Sequence, residues 1–147
     1  AVKNRSNQGS YMTNDTGFYQ TNISTLFVDT MLKYKGFSFM GEYALRDAAD
    51  PLAKNADNSL TGDKVQTGNS LNLMSGYLFK NNWELTGRYT NVNYDDFLHK
   101  GAENQYTFGI SKYIAGHKLK VQSDVSYLDI VSGTNQLMYR LQVDIHF

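Results

Sequence analysis

The chain has 147 residues, enough for one domain, and no cysteine, so disulfides and thiolate metal sites are excluded. Lysine plus arginine and aspartate plus glutamate both number 14, which leaves neither a basic excess for nucleic acid nor an acidic tail. Aromatic residues reach 14 %, with 11 tyrosines, yet no run approaches the roughly 18 apolar residues of a membrane helix.

Residues 1–16 carry Asn, Ser, Gly, Gln, Asp and Thr without periodicity and read as a loop. From about 22 to 34, Leu26, Val28, Thr30, Leu32 and Tyr34 alternate with Phe27, Asp29, Met31 and Lys33, the period of two that marks a strand. A second strand over 37–45 sets Phe37, Phe39, Gly41, Tyr43 and Leu45 against Ser38, Met40, Glu42 and Ala44. Lys35-Gly36 between them is a two-residue hairpin turn, in which glycine supplies the positive φ. This turn predicts Tyr34 opposite Phe37 and Val28 opposite Tyr43, with both faces in register.

Residues 46–67 are polar, hold the only proline, Pro51, and read as a surface loop. Strands over 69–79 and 83–91 follow, and matching their apolar faces places Phe79 opposite Trp83 across Lys80-Asn81-Asn82. A second polar loop spans 95–102. The next strands, 105–114 and 119–128, are joined through Ala115-Gly116-His117-Lys118; Lys112 interrupts the apolar face where a long side chain can snorkel to an interface. The last strand, 137–147, alternates without lapse, with Leu137, Tyr139, Leu141, Val143, Ile145 and Phe147 on one side and Met138, Arg140, Gln142, Asp144 and His146 on the other. Eleven residues is long for a soluble strand and is what crossing a bilayer requires.

Short turns alternate with longer loops, the arrangement of outer-membrane barrels with periplasmic turns and extracellular loops. It makes residues 1–16 an extracellular loop and puts the C-terminus in the periplasm. The outward aromatics sort into two girdles: Tyr34, Phe37, Phe79, Trp83 and Phe147 below, and Tyr43, Tyr89, Tyr106, Tyr127 and Tyr139 six to eight residues higher. Eight residues at about 3.3 Å each, tilted by about 40°, cover roughly 20 Å, near the apolar band of about 25 Å between girdles. The fold expected is all-β, an antiparallel transmembrane β-barrel in contact with outer-membrane lipid and lipopolysaccharide. A soluble β-sandwich, burying the same faces in a core, is the competing architecture. Seven strands leave two open edges, which hydrocarbon does not tolerate, so the chain is expected to be the C-terminal part of a larger barrel, closed by missing N-terminal strands or another chain.

By parity, the lumen face carries Lys33, Arg46, Arg88, Lys120 and Arg140 together with Asp29, Glu42, Glu84, Asp124 and Asp144. Mixed charge is not an anion filter. These residues are pore candidates on one reading and structural pairs in a wet lumen on the other, with Asp124 meeting Arg140 and Lys120 meeting Asp144. Asp29 opposite Glu42 is a like-charge pair that calls for a cation, water or a proton. His99, His117 and His146 have no serine set beside them by this register, so no catalysis is expected; two carboxylates alone make a weak metal site, and neither metal nor cofactor is expected.

The runs K-Y-K-G-F-S-F-M-G-E-Y (Lys33 to Tyr43), G-Y-L-F-K-N-N-W-E-L-T-G-R-Y (Gly76 to Tyr89), E-N-Q-Y-T-F-G-I-S-K-Y-I-A-G-H-K-L-K-V-Q (Glu103 to Gln122) and Y-R-L-Q-V-D-I-H-F (Tyr139 to Phe147) resemble the C-terminal half of the phosphate-selective porin O/P family, in the form common among Bacteroidetes. The resemblance implies a barrel of about sixteen strands, a trimer in the best-known relatives, and passive uptake of anions such as phosphate. It also implies that the terminal strand, through Tyr139, Leu141, Val143, Ile145 and Phe147, is the signal read by the barrel-assembly machinery. A bacterial outer-membrane porin is therefore the expected function. The alternative is a structural subunit or captured client of a larger outer-membrane complex, held through its C-terminal strand.

Overall fold

The computed structural model describes residues 12–115, 118–131 and 133–146. The described chain is all β apart from a 3₁₀ turn at Asp96–Leu98. Its strands are β1 (Thr13–Asn14), β2 (Gly17–Phe18), β3 (Ile23–Tyr34), β4 (Phe37–Ala48), β5 (Leu52–Lys54), β6 (Leu60–Lys64), β7 (Gly68–Leu78), β8 (Trp83–Tyr94), β9 (Glu103–Tyr113), β10 (Leu119–Ile130) and β11 (Gln136–Ile145). The seven long strands form one antiparallel meander in the order β11-β10-β9-β8-β7-β4-β3, while β1-β2 and β5-β6 are separate two-stranded ladders.

Each long hairpin is fixed by its turn. Lys35 (φ 43°) and Gly36 (φ 88°) both take positive φ, the primed turn that matches the twist of paired strands, and Tyr34 then faces Phe37, Leu32 faces Phe39 and Val28 faces Tyr43. Asn82 (φ 63°) closes the next hairpin, where Phe79 N–H donates to the Trp83 carbonyl at 2.8 Å. Between β9 and β10, Ile114 N–H donates to the Leu119 carbonyl at 2.9 Å; the turn residues Gly116 and His117 lie outside the described residues.

The strands run further at one end than their apolar alternation suggests. β4 continues to Ala48, β8 to Tyr94 and β10 to Ile130, and β9 begins at Glu103. Most of the added residues, among them Arg46, Asp47, Asn93, Glu103, Asn104 and Asp129, are polar, so the pairing persists where hydrophobic contrast has weakened. The loop expected over 46–67 also contains structure: β5 and β6 form a hairpin, and Val65 N–H donates to the Pro51 carbonyl at 2.8 Å. Ala48, Ala53, Val65 and Thr67, all in or beside this crossing, are buried.

Little else is buried. The sheet is a single layer, and large apolar side chains stand in the open, among them Leu32 at 56 %, Leu141 at 76 % and Tyr139 at 74 % exposure. No second sheet covers the apolar face among the described residues, so the sandwich core is not formed by them. Among the described residues β3 bonds only to β4 and β11 only to β10, which leaves two open edges.

Gly36 is the most constrained turn residue. Its carbonyl accepts from Leu78 N–H at 2.8 Å, and a Cβ there would lie 2.6 Å from the Leu78 carbonyl oxygen. Gly36→Ala combines a positive-φ penalty with that clash and is expected to cost about 1–3 kcal/mol. The check is the unfolding midpoint followed by circular dichroism; an unchanged midpoint would mean the turn relaxes freely.

Candidate functional site

Register divides the sheet into an apolar face and a polar face, and the apolar face is bordered by two aromatic lines. Carried across β7, the row of Phe37 reaches Leu85 on β8, but the aromatic at the foot of β8 is Trp83, two residues lower. The row of Tyr43 reaches Asn91, whereas the tyrosine on β8 is Tyr89, again two lower. From Tyr89 the row runs through Tyr106 and Tyr127 to Leu137, and the tyrosine on β11 is Tyr139, two residues further toward the foot. Both lines are thus inclined to the cross-strand direction in the same sense.

The lines have distinct polar borders. At the foot, Lys112 extends its ammonium over the Trp83 ring (5.0 Å) and donates to the Asn81 carbonyl at 2.7 Å, while Lys35 lies over Tyr34. At the head, Tyr89 stacks obliquely on Tyr106 at 5.2 Å, and its hydroxyl donates to Asn104 at 2.9 Å. Above it Asn69, Asn91, Asn93 and Asn104 bond to one another across three strands. Between the lines, Ser75 and Gly87 are small enough to leave a shallow depression of about 460 Å³ walled by Phe39, Leu73, Tyr106 and Phe108.

The polar face is a chain of local pairs. Glu42, opposite Asp29, accepts from Asn72 Nδ2 at 2.7 Å, and Asn72 Oδ1 accepts from Thr90 at 3.1 Å. Glu84 accepts from the Tyr113 hydroxyl at 2.7 Å. Asp124 and Arg140 form the expected ion pair at 2.9 Å. Lys120 stands opposite Asp144, but its ammonium lies over the Tyr113 ring at 5.3 Å, and Asp144 accepts from Gln142 at 2.7 Å. Thr107 and Ser126 share a hydrogen bond of 2.8 Å. Arg88 lies between Met74 and Thr107, and its Nε is buried with no hydrogen-bond partner among the described residues. Lys33 faces Ser38, and Arg46 sits between Thr25 and Gly68.

No three of His, Cys, Asp and Glu converge among the described residues. His99 caps the 3₁₀ turn in the left-handed region and His146 donates its N–H to the Lys118 carbonyl. His117 and the terminal Phe147 lie outside the described residues. The asparagine network was not readable from single strands, because its members meet only once the register of β7, β8 and β9 is set.

No family model, curated protein or solved structure matches this chain.

Two predictions test the electrostatics. Asp124 is largely buried and Arg140 half exposed, so Arg140→Gln leaves a carboxylate short of its cation and is expected to cost about 0.5–1.5 kcal/mol, most of it absent in an Asp124→Asn background. Additive costs in that double-mutant cycle would show that the pair is not coupled. Beyond the sheet, the Lys54 ammonium donates to Asp50 at 3.1 Å and holds that carboxyl below the ordinary carboxylate range. A depressed carboxyl contributes its stability above about pH 4, the unfolded value, and loses it as pH falls through the lower folded value. The Asp50 carboxyl carbon should therefore titrate below the ordinary carboxylate range by NMR, and Lys54→Met should raise it toward that range.

Proposed function

We propose that this chain is part of the wall of an outer-membrane β-barrel that acts as a porin for passive diffusion of small solutes. The observation that carries the reading is the common slant of the two aromatic lines. Phe37 to Trp83 and Tyr43 to Tyr89 each fall by two residues over two strand steps. One residue of about 3.3 Å per strand spacing of about 4.8 Å is an inclination of about 35° over this interval. The upper line, level from Tyr89 to Tyr127, falls four residues in five strand steps from β4 to Tyr139, about 29°, near the strand tilt of barrels in a bilayer. Six residues separate the lines on β4 and on β8, roughly 16 Å measured across that slant, within the apolar band of about 25 Å. A contiguous apolar face left open over a sheet marks a surface that meets lipid or a partner.

On this reading the apolar face meets lipid, the lysines at the foot and asparagines at the head meet the two interfaces, and the polar face lines the lumen. The open edges set a condition on closure. β3 and β11 run in the same direction, because an odd number of antiparallel strands separates their outer sides. The wall that completes an all-antiparallel barrel therefore supplies an odd number of strands, from the same polypeptide or another. The resemblance to the phosphate-selective porin O/P family favours the same polypeptide, and anions such as phosphate as solutes. The free edge of β11 favours a second reading, a subunit held in a larger outer-membrane complex through its last strand.

Trp83 is the sole tryptophan, so its depth can be read without labelling. In vesicles containing brominated lipids its fluorescence should be quenched most by bromine near the glycerol end of the acyl chain. Absence of quenching at every depth overturns the membrane reading. Planar-bilayer recordings of the full-length protein should then show ion conductance; a membrane-inserted protein without conductance, retained in a complex that is lost on deleting Phe147, would favour the subunit reading.

A further inference from the structure

Four of the five methionines fall in one cross-strand row on the polar face. Met31 on β3 faces Met40 on β4, and Met40 faces Met74 on β7. The row continues through Arg88, Thr107 and Ser126 to Met138 on β11, so three strands separate Met138 from the adjacent trio. An apolar side chain on the polar side of an alternating strand needs a reason. Met31 is 63 % and Met74 37 % exposed, so these thioethers are not filling a core.

Thioether sulfur is a soft, neutral ligand that selects Cu(I) over the hard cations that oxygen ligands take. Ag(I) has the same charge and the same preference. Adjacent strands lie about 4.8 Å apart, so the backbones of Met31 and Met74 are roughly 10 Å apart on either side of Met40. Three rotatable bonds in each side chain allow the three sulfurs to converge on one ion held above Met40. The next row up the same face supplies charge. Asp29 and Glu42 stand directly opposite each other, and the Asn72 amide fixes the Glu42 carboxylate at 2.7 Å. Lys33 stands on the other side of the trio and Arg88 faces Met74, so two cations match the two carboxylates, which flank Met31 and Met40 at the end of the row away from Arg88. We propose that Met31, Met40 and Met74 form a thioether site for a soft monovalent cation, Cu(I) in the reduced state and Ag(I) as its redox-inert substitute, with Asp29 and Glu42 flanking its Met31–Met40 end.

The proposal rests on the register of β3, β4 and β7 and stands whether or not the wall encloses a lumen. Where it does, the site gives the lumen an affinity that its mixed carboxylate and ammonium charge does not supply.

The test is a titration of the detergent-solubilised protein, labelled at methionine methyl carbons, with silver nitrate in chloride-free buffer. The methyl signals of Met31, Met40 and Met74 should shift together and saturate at roughly one Ag(I) per chain, while those of Met12 and Met138 stay in place. Met40→Leu keeps the volume and removes the central sulfur, and should weaken Ag(I) binding by about tenfold or more. Met138→Leu should leave it unchanged. Unmoved trio signals, equal movement of all five, or undiminished binding by Met40→Leu would each overturn the site. If Met40→Leu fails to fold, the titration of the unsubstituted protein still decides. Trp83 quenching and the silver titration fail independently, so a lost metal site is distinguishable from a lost membrane reading.

Discussion

The cross-strand hydrogen-bond ladder is the constraint on which everything else here depends. A single-layer sheet has no facing layer to select its register, and among the described residues the long strands bond only to their ladder neighbours. Register is instead set by hairpin turns and by the need to keep each face uniform, because a slip of one residue would send every apolar side chain to the polar side. Lys35-Gly36 and Asn82 supply the positive φ angles that two of these hairpins need. A turn residue therefore acts at a distance, since an error at Gly36 would misplace Met31 against Met40 as surely as Tyr34 against Phe37.

The same constraint explains why so much apolar surface stands open. Each inner strand satisfies its backbone groups through its two neighbours, so the interior of the sheet does not need a core for hydrogen bonding. It does need a surrounding for its apolar face, and bilayer hydrocarbon supplies that surrounding on the reading proposed above. Only closed sheets satisfy every backbone group in such a solvent. The two parallel-running edges are consequently the strongest demand that this chain makes on what lies beyond it.

Polar side chains take a different part at each height. At the head of the sheet, asparagines extend the pairing past the end of the apolar pattern by bonding to each other across strands. On the polar face, Glu42 with Asn72, Glu84 with Tyr113 and Asp124 with Arg140 tie neighbouring strands through charged groups. Such pairs are individually weak, and they tie neighbouring strands together more than they stabilise the sheet. The row of methionines interrupts this pattern and is the one part of the polar face with a softer chemistry.

Much of the architecture was legible in the chain itself, because the period of two is a property of each strand and needs no partner. Alternation identified the seven long strands and their faces, the turn Lys35-Gly36 predicted Tyr34 against Phe37, and matching of apolar faces predicted Phe79 against Trp83. The hairpin of β5 and β6 was hidden, since Leu60–Lys64 is too polar and too short to show a period. The upper ends of β4, β8, β9 and β10 were hidden for the same reason. Relations between strands that are not neighbours in a hairpin belong to the tertiary structure alone. The slant of the aromatic lines, the asparagine network and the adjacency of Met40 to Met74 all depend on how β4 meets β7 and how β8 meets β9, across connections whose lengths do not set register. The sequence by itself determined which face each side chain would take; the assembled sheet decided which side chains would meet, because cross-strand distance is fixed only when every register in the meander is fixed.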